Sequence, residues 1–190
     1  MGNDQPVLEI HVYLTSGQSG LFAQSDPEVV QAMMENMLAP QRFFAQPQLM
    51  IGDKGSLAVF RTAEITRIDL ISDLVPKWPF QFGAVSVREV TELEFTTALS
   101  KQHKLADEVG YISLLLTDGQ EIHWEVWHPQ GMTFGSELPA YIQPAFNTTG
   151  LHARRSGLGV MVINPAQIAR IDLHPGPSRA PAKVWTASRP

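Results

Sequence analysis

The sequence predicts a mainly β (α+β) fold that contains two tandem copies of one small strand-rich unit. The segment "EITRIDL" (Glu64–Leu70) recurs as "QIARIDL" (Gln167–Leu173) at an offset of 103 residues. The segments "LTSGQ", from Leu14, and "LTDGQ", from Leu116, recur at an offset of 102 residues. Similar segments at one nearly constant offset indicate an internal repeat. Alternating apolar residues along Leu8–Leu14 indicate that the unit begins with a half-buried strand.

The first repeat, residues 7–75, is predicted to hold five strands and one helix. A tight turn at Ser16-Gly17 joins the first two strands. Ser25 and Glu28 have capping-box spacing, and an apolar stripe follows at Val29, Val30, Met33, Met34 and Met37. We favour packing of this stripe in the core over a groove for a partner. The later strands are predicted at Gln48–Ile51, Leu57–Phe60 and Thr66–Leu70.

The second repeat, residues 110–173, has the same order of elements. A turn at Asp118-Gly119 precedes the strand "EIHWEVW", and "SELPAYIQPAF" has room for a short helix. Its later strands are predicted at Leu151–Arg154, Val160–Ile163 and Ala169–Leu173.

The linker between the repeats, residues 76–109, is predicted to contain a helix at about 92–102. Thr91 and Glu94 have the spacing of a capping box, and Val90 and Phe95 occupy the hydrophobic-staple positions.

Composition excludes several classes of function. The chain of 190 residues carries 14 Lys and Arg against 19 Asp and Glu, a net charge of −5, so it has no general attraction for nucleic acid or anionic lipid. It contains no cysteine, which excludes disulfides, thiolate nucleophiles and Cys-ligated metals. The start "MGNDQPVLEI" lacks a signal-peptide pattern, and no apolar run reaches the roughly 18 residues of a membrane helix. We expect a cytoplasmic protein without membrane contact, ending in a Pro-rich, basic, disordered tail at 174–190.

Two segments of the second repeat resemble the signatures of the Sm-like (LSm) family. "LGVMVINPAQIARI" (Leu158–Ile171) is similar to the family's second signature, in which Leu-Gly, alternating apolar residues and an Arg-Gly pair precede a short last strand. "LLTDGQEIHWEV" (Leu115–Val126) is similar to the start of its first signature. The resemblance implies a small, strongly bent five-stranded barrel, present twice.

The sequence departs from this family at the residues that hold RNA. The family's Arg-Gly pair is replaced by Arg61-Thr62 in the first repeat and by Asn164-Pro165 in the second. The Asp…Asn element of the first signature is not recognisable, and Trp124 replaces the glycine at which the second strand bends. The resemblance therefore supports the barrel and argues against RNA binding at the usual site.

The candidate ligand residues are basic or amide side chains near the repeated motif. Arg67 and Asp69, like Arg170 and Asp172, are two residues apart on a strand and therefore share a face. We interpret both pairs as exposed pairs or cross-strand ion pairs rather than as a paired ligand site. The adjacent Arg154 and Arg155 are interpreted as a basic turn rather than an anion site. The candidate set for a ligand or nucleic acid is Arg61, Arg67, Arg154, Arg155, Asn164 and Arg170.

Histidines and carboxylates in "EIHWEVWH" raise the question of a metal site. His123 and His128 are five residues apart, so on an extended strand they lie on opposite faces. We interpret these histidines and Glu125 as surface residues, and expect no metal and no cofactor. No nucleophile elbow and no Gly-rich phosphate loop is present, so no catalytic residues are assigned.

The favoured function is a non-enzymatic small-barrel module that acts by self-association or by binding another protein. The first alternative is binding of RNA or single-stranded nucleic acid, supported by the resemblance and by the basic tail with Trp185. The second alternative is small-molecule binding in a cleft between the two repeats.

Overall fold

Strands dominate the structure, which confirms the prediction of a mainly β protein. The computed structural model describes residues 7–36, 40–52, 55–74, 76–81, 83–101, 108–134, 144 and 146–176. Its strands and helices are β1 (Leu8–Leu14), β2 (Ser19–Gln24), α1 (Pro27–Asn36), β3 (Gln48–Gly52), β4 (Leu57–Arg61), β5 (Ile65–Ile71), β6 (Ser86–Val90), α2 (Glu92–Ser100), β7 (Val109–Leu116), β8 (Glu121–Trp127), β9 (Leu151–Arg154), β10 (Val160–Ile163) and β11 (Ile168–His174).

Strands of both repeats share one sheet. Nine strands form an open mixed sheet in the order β11-β7-β8-β6-β9-β10-β5-β1-β2, and β3 and β4 form a separate hairpin. The expectation of two closed five-stranded barrels is therefore wrong for the described residues. The reason is that β10 of the second repeat pairs with β5 of the first, which joins the repeats edge to edge.

Strand β6 lies in the predicted linker and has no alternating pattern that would mark it in the sequence. Its buried residues, Val87 and Val90, are three positions apart. The strand runs antiparallel to β8 and forms a short parallel bridge to β9. It thus fills the space between β8 and β9 in the second repeat.

The turns and strands of the two repeats follow local sequence signals. Gly17 and Gly119 have φ angles of +79° and +86°, which glycine adopts without steric cost, so both predicted turns are confirmed. Leu8 and Val12 on β1 are fully buried, as their alternation predicts. The predicted strands at Leu151–Arg154 and Val160–Ile163 have the bounds that the structure gives β9 and β10.

The sequence predicts the residues that cap the start of α2 correctly but those of α1 incorrectly. The capping box of α2 is confirmed: the Thr91 side chain accepts from the Glu94 amide, and the Glu94 carboxylate accepts from the Thr91 amide. Helix α1 begins at Pro27, but Asp26 caps it instead of Ser25, since its carboxylate accepts from the Glu28 amide at 2.9 Å. The short helix expected in "SELPAYIQPAF" falls largely outside the described residues.

Each repeat has an apolar core, and the second repeat completes the core of the first. The core of the second repeat surrounds Trp124, whose indole N–H donates to the Met161 sulfur at 3.3 Å. The core of the first repeat includes Val30 of α1, and Met33 and Met34 pack against its edge, as expected; Val29 of the predicted stripe is 41% exposed, and Met37 lies outside the described residues. Val160 and Val162 of β10 also belong to this first core.

Residues 177–190, which contain most of the predicted tail, lie outside the described residues. Among the described helices, none has the length and apolar character needed to span a bilayer.

Candidate functional site

The joint between the repeats is an antiparallel strand pair fastened at one end by Asn164. Strands β10 and β5 pair from Val160 opposite Leu70 to Ile163 opposite Arg67. Just past β10, the buried Asn164 amide donates to the carbonyl oxygens of Thr62 at 3.0 Å and Ile65 at 2.9 Å. These bonds link residues about a hundred positions apart. Asn164 is thus a structural residue of the joint.

A buried carboxylate lies across the same joint. Asp69 is completely buried, and its oxygens lie 3.1 Å from Nε of Arg67 and 3.4 Å from Nε of Arg155. Burial raises the pKa of Asp69 above its ordinary value, although both guanidinium groups oppose this shift. Arg67 also stacks over the Tyr13 ring, with Cζ 4.1 Å from the ring centroid. Of the two forms of the interpretation, the exposed pair is wrong, because the Asp69 side chain is fully buried; Asp69 instead forms ion pairs with Arg67 on its own strand and with Arg155 of the second repeat.

The equivalent pair in the second repeat is more exposed. Nε of Arg170 lies 2.9 Å from the Asp172 carboxylate, and the Arg170 side chain is 51% exposed. Arg170 also approaches Glu121 at 3.7 Å. Arg170 therefore forms ion pairs with Asp172 on its own strand and with Glu121 on β8, while the Asp172 side chain is only 13% exposed, so this pair is not fully exposed either.

Strand β8 carries a hydrogen-bond network centred on Glu125. The Glu125 carboxylate accepts from Arg88 at 2.6 Å, Trp127 at 2.8 Å and Tyr111 at 2.9 Å. Burial by itself would raise the pKa of Glu125, but these three donors together hold it below the ordinary value. Burial and the bond to Glu125 raise the pKa of Tyr111 to about 12. Within the described ranges, no three His, Cys, Asp or Glu side chains group as metal ligands do.

The expectation that Glu125, His123 and His128 are surface residues is wrong for two of them. Glu125 and His128 are buried, 7% and 4% exposed. His128 lies edge-on to Phe134, with ring centroids 5.7 Å apart. His123 is half-buried and stacks on Phe95 of α2, with centroids 4.2 Å apart. Helix α2 and the loop after β8 supply this cover, which the pattern of β8 alone does not show.

A pocket of about 460 Å³ lies between the linker and the second repeat. Trp78 and Phe80 of the linker enclose the His152 ring: Phe80 stacks on it with centroids 5.1 Å apart, and Trp78 meets it edge-on at 5.4 Å. Lys77 and Arg154 also line the pocket, and the described residues of its lining include no acidic one. Burial lowers the pKa of His152 to about 4, so at pH 7 the ring is neutral and the positive charge comes from the lysine and the arginine.

The six predicted ligand residues fall into separate places. Arg67 and Arg155 meet at Asp69, and Asn164 closes the same joint. The other three residues are exposed: Arg154 at the pocket, Arg61 at the end of β4 and Arg170 on β11. The pocket residues Lys77, Trp78 and His152 were missed by sequence reasoning; the aromatic, Pro-rich stretch "PKWPF" in the linker was the available signal.

Comparisons with protein-family models, with curated proteins and with solved structures found no match to this chain.

Proposed function

We propose that the chain is a non-enzymatic assembly module of two Sm-like repeats that associates with protein through unpaired strand edges. The matching order of elements in the two halves supports their description as repeats of one unit. In each, a 3-10 turn joins the last two strands, at Thr62–Glu64 between β4 and β5 and at Pro165–Gln167 between β10 and β11. The joint itself supports association by strand pairing, since it already connects two repeats in this way.

One observation carries the proposal: apolar side chains of β4 are exposed to solvent, whereas the equivalent side chains of its counterpart β10 are buried. Leu57 and Val59 are 61% and 53% exposed, whereas Val160 and Val162, at the equivalent positions, are 2% and 0% exposed. Within the described part of the chain, β4 pairs with β3 alone, and its other edge is open. An open strand edge with exposed apolar residues is a surface for pairing with another strand.

The charged groups support a structural rather than a catalytic role. The carboxylates of Asp69 and Glu125 are buried and held by arginines. Glu125 accepts hydrogen bonds from three donors and has a lowered pKa, so it is a poor candidate for moving protons in a reaction. RNA binding is also less favoured, because Arg67, Arg155 and Asn164 of the candidate set serve the joint between the repeats.

Sedimentation velocity over a range of protein concentrations tests the proposal. We expect concentration-dependent association of the wild-type chain and its loss in Val59→Lys, because a lysine at this strand edge opposes pairing. Leu93→Lys is the matched control, since Leu93 is 76% exposed but lies on helix α2. A wild-type chain that stays monomeric at high concentration, or two variants that behave alike, would count against the proposal.

The pocket at Trp78 favours a second candidate function, the binding of a small aromatic anion. Aromatic rings form one wall, while Lys77 and Arg154 form no ion pair with any described residue and are available for an anion. The probe is 8-anilinonaphthalene-1-sulfonate, whose fluorescence rises in apolar surroundings. Arg154→Gln should weaken its binding several-fold, and Arg170→Gln should leave it unchanged. Equal binding by both variants would place the probe elsewhere.

A further inference from the structure

An apolar cavity of about 190 Å³ lies in the first repeat, between the large sheet, helix α1 and strand β3. The sheet contributes Ile10 of β1 and Ile68 of β5, which are 7% and 0% exposed. Met33 of α1 and Phe43 of the 3-10 turn before β3 line a second side. Strand β3 lines the rest with residues Leu49–Gly52. The cavity therefore reaches into the core of the first repeat, to which the buried members of this lining belong.

The described lining of this cavity is apolar throughout. It consists of isoleucine, leucine, methionine, phenylalanine and one glycine, without a charged or hydrogen-bonding side chain. A water molecule inside a protein is held by two to four polar partners, and these side chains offer it none. An apolar molecule therefore displaces water from such a space at little cost. The pocket at Trp78 differs in this respect, since Lys77 and Arg154 line it.

A comparison of the two repeats gives the reason for the cavity. In the second repeat, β6 lies between β8 and β9 and buries Val87 in the core of that repeat. In the described part of the first repeat, β3 pairs with β4 alone. The lining includes four consecutive residues of β3, although side chains alternate between the faces of a strand, and its described part includes no residue of β4. The cavity therefore borders the open edge of β3, the edge whose counterpart on β9 is covered by β6.

We propose that this cavity binds a compact, uncharged apolar molecule, such as a single hydrocarbon ring or a short branched chain. Its size and lining support this class of ligand, because a cavity of about 150 Å³ lined by Leu, Ile and Phe stays dry and accepts benzene. The ligand is uncharged because no described lining side chain offers it a counter-charge. The site is distinct from the pocket at Trp78: Phe43 lines the cavity, Trp78 lines the pocket, and their rings meet edge-on with centroids 6.1 Å apart.

The methionine methyl groups report directly on this site. The chain is labelled with ¹³C at the methionine methyl carbons, and fluorobenzene is the probe, because the ring current of a bound aromatic molecule shifts nearby methyl signals. Single Met→Leu variants assign the signals. We expect fluorobenzene to shift the signals of Met33 and Met50, which line the cavity. The signals of Met132 and Met161 are the internal control and should not move, because neither residue belongs to the described lining.

A variant that fills the cavity tests the same site by a second route. Leu49 lines the cavity and packs against the first core, so Leu49→Trp should weaken fluorobenzene binding at least several-fold. Val59→Trp is the matched control and should bind as the wild type does, because Val59 is 53% exposed and lies outside the described lining.

Three results would overturn the proposal. The first is a wild-type chain whose methionine signals do not move, and the second is a folded Leu49→Trp chain that binds as tightly as the wild type. The third is a shift of Met50 without Met33: Met50 is 62% exposed and lies opposite Val59 in the hairpin, so this result would place the probe on the outer face. The methyl shifts of the wild type decide the question even if Leu49→Trp does not fold.

Discussion

The replacement Asn164→Asp tests whether one side chain fastens the two repeats to each other. The change keeps the shape of the side chain, but it replaces the amide nitrogen by a carboxylate oxygen. That nitrogen donates to the carbonyl oxygens of Thr62 and Ile65 at 3.0 and 2.9 Å, whereas the amide oxygen accepts from the Ala166 N–H at 3.1 Å. The variant keeps the last bond and loses the first two.

The expected cost follows from these two bonds. Each hydrogen bond contributes about 1 kcal/mol net, and each buried carbonyl that loses its donor costs about 1–3 kcal/mol. We therefore expect Asn164→Asp to lower the free energy of unfolding at pH 7 by about 4 kcal/mol. Two carbonyl oxygens beside the new carboxylate raise its pKa, and the protonated form regains one donor. The loss should therefore be smaller at pH 4 than at pH 7.

Urea unfolding at both pH values, followed by tryptophan fluorescence, measures this loss. Gln130→Glu is the matched control: it makes the same amide-to-carboxylate change at an exposed site outside the joint, and should cost under about 1 kcal/mol. If Asn164→Asp is as stable as the wild type at pH 7, Asn164 does not fasten the joint. A large loss that is equal at both pH values would contradict the assignment of the two carbonyl acceptors.

Three further predictions concern the pocket, the joint and strand β8. His152 has a folded-state pKa of about 4 against 6.5 for an ordinary histidine, so the free energy of unfolding should fall by about 3 kcal/mol between pH 6.5 and 4. The variant His152→Leu, which introduces the residue found at the equivalent position of the first repeat, Leu49, should not show this loss. Val162→Ala should cost about 2 kcal/mol in urea unfolding at low protein concentration, whereas Val59→Ala, its exposed counterpart, should cost under about 0.5 kcal/mol. Glu125→Gln should cost about 2 kcal/mol at pH 7, because charge-assisted hydrogen bonds are lost. Since the pKa of Glu125 is lowered, the ionised carboxylate stabilises the folded state above pH 4.5, and this stabilisation is lost as the pH falls through the folded-state pKa. Unfolding measured over a pH series should show no such loss in the variant.

Each of these three predictions has a result that would contradict it. His152→Leu with an unchanged acid response would place the titrating group elsewhere. Equal costs for the two valine variants would show that β10 does not complete the first core. A Glu125→Gln chain as stable as the wild type at pH 7 would mean that its three donors find equivalent partners.

The chemistry of candidate residues was harder to predict than their position on strands. The spacing of Arg67 and Asp69 places both on one face of β5, but the same motif on β11 leaves Arg170 half exposed. The motif is identical in the two repeats, so its sequence does not encode this difference. In the first copy, β10 of the second repeat pairs with β5 and Arg155 forms an ion pair with Asp69.

Local signals in the sequence determined the strands other than β6, the two tight turns and the start of α2, because each depends on residues within a few positions of one another. Alternation defines a strand face, glycine permits the turn, and a capping box satisfies the first amides of a helix. The tertiary structure decided which strands are neighbours, why Asp69 and Asn164 are buried, and which edges remain open. These features depend on contacts such as that of Asn164 with Thr62, 102 residues apart, and the pattern along one strand carries no information about its partner.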